Sequence, residues 1–77
     1  MDYYADRYRR LGLKIAYYRK LNGWTQAELA EKIGRSTIFV SQVESQTKPC
    51  GVSLDTLFRL ADLFRVDSSQ LLTNLDD

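Results

Sequence analysis

The residues between 36 and 45 carry the chemistry that this sequence is equipped to do. Placed around a helix at about 100° per residue, Val40 and Val43 point inward together. Ile38, Ser41, Gln42 and Ser45 fall on the opposite side, with Thr37, Phe39 and Glu44 on the flanks. The outward face therefore holds small hydroxyls, one amide, one bare apolar side chain and no acid. Small polar groups let a helix enter a nucleic-acid groove closely. A glutamine can bond both exposed groups of an adenine, and an apolar side chain can meet a thymine methyl. Taken singly, each residue is ordinary exposed helix surface; their combination on one face points to recognition of base edges.

Bond-making chemistry finds few tools. There is no His and one Cys, Cys50. Those counts remove a disulfide scaffold, a zinc finger, a Cys-rich metal site and every triad that needs imidazole. The acids are scattered, with neither a base–nucleophile pair nor a glycine-rich phosphate loop. The expectation is a protein that is not an enzyme and uses no metal and no cofactor. Cys50 is a lone thiol without an assigned role.

The elements that must hold the outward face read as helices. One proline, Pro49, and dominant 3.6-residue periodicity argue against sheet. A first helix over about residues 6–21 carries Tyr8, Leu11, Ile15 and Tyr18 on one stripe and ends at Asn22-Gly23. A second opens with a capping box, Thr25 and Glu28, with Trp24 placed to staple onto Leu29. Leu29, Ala30 and Ile33 form its apolar stripe, and Gly34 stops it. Ser36 caps a third helix, to about residue 44, so close behind that the two must cross steeply, the geometry of a helix-turn-helix. After a loop over residues 45–52, Ser53 caps a fourth helix bearing Leu54, Leu57, Leu60, Ala61 and Phe64. Asp67 and Gln70 form a further capping pair at the start of a short fifth helix with Leu71, Leu72 and Leu75. The fold class is all-α, a compact five-helix bundle in a single domain spanning residues 1–77. A chain this short buries only about 60% of its unfolded surface.

Charge divides the chain. Residues 1–48 hold nine Lys or Arg against five acids, a balance of +4, and residues 49–77 hold two against five, a balance of −3. Such asymmetry fits one face for a polyanion and another turned away from it.

The stretch TQAELAEKIGRSTIFVSQVE resembles the helix-turn-helix of the lambda repressor and Cro family, the XRE-like regulators. Gln26 stands at the opening of the second helix, Ala30 where the two helices touch, and Gly34 in the turn. Val40 and Val43 match as core positions, with Glu44 near the helix end. Gly12, Arg19, Gly23, Pro49 and the run LDTLFRLADLF extend the match over about residues 11–72. The resemblance implies a five-helix, lambda repressor-like domain working as a homodimer on a palindromic double-stranded DNA operator. By position, Thr37, Ile38, Ser41 and Gln42 would face base edges, and Gln26, Ser36, Ser45, Thr47 and Lys48 would contact phosphates. Arg35, where a small residue is common, could also reach a phosphate. Arg19 and Glu44 match an ion pair tying the first helix to the third. The chain departs from the family at Ile38, where a polar side chain is usual, at Gln46, where Gly is frequent, and in a longer loop at Cys50-Gly51-Val52.

Phe58, Leu63, Leu71, Leu72 and Leu75 are the candidate dimer surface, although most of these leucines could equally close the core. Leu13 and Tyr17 form a second apolar strip on the outer side of the first helix. Phe39 is expected to pack beneath that helix. The leading expectation is a sequence-specific transcriptional regulator, a small Cro-like repressor or controller protein. The alternative is a protein-interaction module on the same scaffold, an antitoxin or antirepressor using Ile38, Phe39, Leu13 and Tyr17. The sequence lacks an apolar run long enough for a membrane span or a secretion signal. The expectation is a cytoplasmic, bacterial or phage-encoded protein with no membrane partner, and without an effector or peptidase domain.

Overall fold

Side-chain caps fix where the three central helices of this protein start. The computed structural model describes residues 3–76, and among them it contains five helices and no strand. They are α1 (Ala5–Leu21), α2 (Gln26–Ile33), α3 (Thr37–Val43), α4 (Leu54–Phe64) and α5 (Ser68–Leu72). The Thr25 hydroxyl accepts from the Glu28 amide at 3.0 Å, and the Glu28 carboxylate accepts from the Thr25 amide at 2.9 Å, closing the capping box. The bond from the Thr25 amide, seconded by its hydroxyl, holds the Glu28 carboxyl below its ordinary value. Ser36 and Ser53 cap α3 and α4 in the same way, through the amides of Phe39 and Thr56.

Gly34 ends α2 in the left-handed conformation, with φ +70°. That turn lets the Arg35 amide reach back to the Ala30 carbonyl at 2.9 Å and frees the chain to start α3 three residues later. Arg59, on α4, donates to the Ile33 carbonyl at 2.9 Å and so supplies a partner for the end of α2 from outside.

The apolar stripes meet in one core. Leu11 and Ile15 of α1, Leu29, Ala30 and Ile33 of α2, and Val40 and Val43 of α3 are all buried. Leu57, Leu60, Ala61 and Phe64 of α4 close it from below, with Leu71 of α5. Among the described residues every buried side-chain nitrogen and oxygen has a hydrogen-bond partner, as a small core requires, since an orphaned buried polar group costs about 1–3 kcal/mol. No helix of the described residues is long and apolar enough to cross a membrane.

Two expectations, for Leu71 and for the Asp67–Gln70 pair, are corrected by the packing. Leu71 is 0% exposed; it belongs to the core and offers no surface to a second chain. Leu54, at the first position of α4, is exposed. The Asp67–Gln70 pair is made by the backbone, the Gln70 amide donating to the Asp67 carbonyl at 2.9 Å; the Gln70 side chain is taken by the Tyr18 hydroxyl at 3.3 Å. Trp24 packs against the core that holds Leu29 and stacks on Phe64 with ring centres 6.2 Å apart, and the Lys32 ammonium lies over its ring at 4.8 Å.

Candidate nucleic-acid interface

Helix α3 is only seven residues long, too short to stand alone, so its orientation is set by what lies behind it. Val40 and Val43 anchor it in the core. At its end, Glu44 takes a two-pronged contact from Arg19 of α1, with Nε–Oε2 at 2.8 Å and the second guanidinium nitrogen to Oε1 at 2.9 Å. A third Arg19 nitrogen donates to the Trp24 carbonyl at 2.7 Å. Gln26, the first residue of α2, donates its side-chain amide to Glu44 Oε1 at 3.0 Å. One carboxylate therefore locks α1, the opening of α2 and the end of α3 together. The hydrogen bond to Glu44 raises the Arg19 guanidinium above its already high value, outweighing the cost of burial, so Arg19 stays charged.

The backbones of α1 and α3 also approach closely at Gly12. A Cβ at this position would overlap the Val43 carbonyl oxygen. Only the absence of a side chain lets α1 pass behind α3 at that distance.

The front of α3 is different. Thr37, Ile38, Ser41 and Gln42 are all exposed, and Ile38 is 70% exposed. The Gln42 amide group makes no hydrogen bond among the described residues. Ser41 and Gln42 share a shallow groove with Ser45, Thr47, Lys48 and Cys50 of the following loop. The four residues expected to face base edges thus lie side by side on one open surface.

The residues expected to contact phosphates are spread around it. Ser36, at the start of α3, spends its oxygen as an acceptor for the Phe39 amide and keeps its hydroxyl hydrogen to donate. Gln26 and Arg35 stand at either end of α2, and Gln26 directs its amide at Glu44. The Arg35 guanidinium lies over the Phe39 ring at 3.8 Å. Phe39 itself is half-buried and packs against the core, and so leaves the outward face. Ser45 is half-buried, accepts from the Lys48 amide at 3.0 Å and lies 3.4 Å from the Thr47 hydroxyl, which folds the loop back on the end of α3. Lys48 and Thr47 remain exposed.

Two features escape a reading along the chain. Gln46 bridges to α1: Arg9 Nε donates to the Gln46 carbonyl at 2.9 Å, and the Gln46 amide reaches the Glu44 carbonyl at 3.3 Å. The partners are 37 residues apart, so only folding reveals the link. The basic N-terminal residues are also engaged within the molecule, Arg7 with Asp76, Arg9 with Asp6, and Arg10 with the Asn74 carbonyl. Of the candidate dimer surface, Phe58 is 48% and Leu72 45% exposed, while Leu63 and Leu75 are half-buried against the core.

Two short helices joined through a left-handed glycine, the second with its inner side braced and its outer side open, define a helix-turn-helix domain. A helix-turn-helix family model, HTH_3 of the XRE type, matches residues 15–71, and the chain belongs to this family. The chain is also similar to a solved structure described as a hypothetical transcription factor, NHTF, from Neisseria. The two share 30% sequence identity with a TM-score of 0.77 over 90% of this chain and 75% of that one. No curated protein matches.

Proposed function

We propose that the protein is a DNA-binding transcriptional regulator that reads its operator with the outer face of α3. The observation that carries this reading is the contrast within α3: an outer face of Thr37, Ile38, Ser41 and Gln42, all open, on a helix held from behind by the Arg19–Glu44–Gln26 lock. A readout helix must be rigid behind and open in front, because groove contacts reward only preset geometry. The Neisseria protein's description as a hypothetical transcription factor supports the same assignment.

In this reading α3 lies in the major groove. Ser36, Ser45, Thr47 and Lys48 hold the flanking phosphates, joined by Gln26 and by Arg35 once its guanidinium swings from Phe39. The first-turn amides of α2 add a positive helix end beside Gln26. These contacts set affinity and its salt dependence, and the face of α3 sets sequence. A single domain with net charge +1 has a modest field, so the regulator works as a homodimer on a palindrome, with recognition helices about 34 Å apart. Phe58 and Leu72, flanked by Leu63 and Leu75, form the contact between copies. Bound over a promoter, such a dimer represses by excluding polymerase.

The test is selection of genomic fragments by the purified protein, followed by titration of the best fragment at several salt concentrations. The regulator reading expects an enriched palindrome whose binding is lost in Gln42→Ala. Weak, uniform binding with no enriched site sinks it. The second reading, a protein-interaction module of the antitoxin or antirepressor kind, is favoured by the exposed apolar Ile38 together with Leu13 and Tyr17. The two part at Gln26→Ala, which weakens DNA binding and leaves a protein contact through Ile38 intact.

A further inference from the structure

The outer face of α3 contains one apolar side chain among polar ones. Ile38 stands 70% exposed between Thr37, whose hydroxyl is open, and Phe39, whose ring is turned onto the core. A branched apolar side chain facing water gains by being covered. It cannot be covered by just any part of a base pair, because it would strip water from edge donors and acceptors without replacing their hydrogen bonds. The major-groove edge offers one group that asks for no hydrogen bond, the C5 methyl of thymine. We infer that Ile38 reads the C5 methyl group of a thymine, and that Gln42 reads an adenine within about two base-pair steps of it. The inference rests on the DNA-binding reading and deepens it by naming what the face selects.

Geometry sets the distance between the two contacts. Ile38 and Gln42 are four residues apart on the same face, which places them about 6 Å apart along the helix axis. At 3.4 Å per base-pair step that span covers about two steps. Ser41, lying beside Gln42, is small enough to let the helix come close. Gln42 has its amide oxygen and nitrogen both uncommitted among the described residues, which is what a two-bond contact to adenine N6 and N7 requires. Ile38 is β-branched and therefore restricted at χ1, so little side-chain freedom is lost when it seats against a methyl. The preferred half-site accordingly contains A·T pairs, one read by Ile38 through a thymine methyl and one read by Gln42 through hydrogen bonds.

The experiment replaces single atoms of the DNA. In the fragment enriched by selection, each thymine is changed in turn to deoxyuridine, which removes the methyl and keeps base pairing. Affinities are measured for the wild-type protein and for Ile38→Ala, whose folding is checked by its melting curve. One position per half-site should weaken the wild type by about fourfold, the value expected for losing one buried methyl. The same change should leave Ile38→Ala indifferent. Replacing the neighbouring adenine by 7-deazaadenine, which removes the N7 acceptor, should weaken the wild type and leave Gln42→Ala indifferent. If every thymine tolerates the change, or the loss persists in Ile38→Ala, the inference is overturned while the regulator reading stands. If selection enriches no fragment at all, the regulator reading falls and the inference falls with it.

Discussion

The two sides of α3 are built to opposite rules. On the inner side, Val40 and Val43 are buried, Gly12 admits a backbone contact that no other residue would allow, and Glu44 is shared by Arg19 and Gln26. On the outer side, Ile38, Ser41 and Gln42 are exposed, and the Gln42 amide group is unspent. The inner side braces a seven-residue segment; the outer side lies open to solvent. The difference teaches that position and readout are separable here: one set of residues fixes where the helix points and another is free to set what it contacts.

Substitutions can break that separation in order of expected effect. Removing Glu44 as Glu44→Ala leaves Arg19 charged and buried without its partner, and breaking a buried pair from one side costs about 3–5 kcal/mol. Urea unfolding should show that loss. Gly12→Ala should cost about 1–3 kcal/mol, the usual penalty for overfilling a packed site, because the added carbon forces α1 away from the Val43 carbonyl. Thr25→Ala removes the cap of α2 and should cost about 1 kcal/mol.

The capping box also predicts a pH dependence. The Glu28 carboxyl lies below its ordinary value of 4.5 because it accepts hydrogen bonds from Thr25. A lowered folded-state value means that its contribution is complete above about pH 4.5 and is lost as pH falls through the folded value. The stability gap between wild type and Glu28→Gln, measured by thermal melts, should therefore be widest near neutrality and narrow below pH 4.5. Smallest of all on the stability scale is Gln42→Ala, which should move unfolding by less than about 0.5 kcal/mol. A large destabilisation there would erase the distinction between the two sides.

Local signals carried most of the fold, because the starts of α2, α3 and α4 each involve residues three apart. Thr25 with Glu28, Ser36 with Phe39 and Ser53 with Thr56 are all of this kind. The phase of α3 followed from two buried valines and one exposed isoleucine. The Arg19–Glu44 pair came from resemblance, since nothing in the spacing of two residues 25 apart names them as partners. What stayed hidden depends on packing between distant segments. Arg59 finds the Ile33 carbonyl, Trp24 finds Phe64, and Gln46 finds Arg9 only once the chain has closed. Helix α5 shows the limit of periodicity: with five residues it completes little more than one turn, too little to tell the buried Leu71 from the exposed Leu72.

The most direct test of the account pairs two readouts on one substitution, Gln42→Ala. Its melting curve should overlay the wild type, while affinity for the enriched operator falls by about 5- to 150-fold per half-site, the range for one two-bond base contact, and affinity for unrelated DNA stays unchanged. An unchanged affinity for the operator, in a variant that melts as the wild type does, would contradict the claim that the outer face of α3 reads DNA.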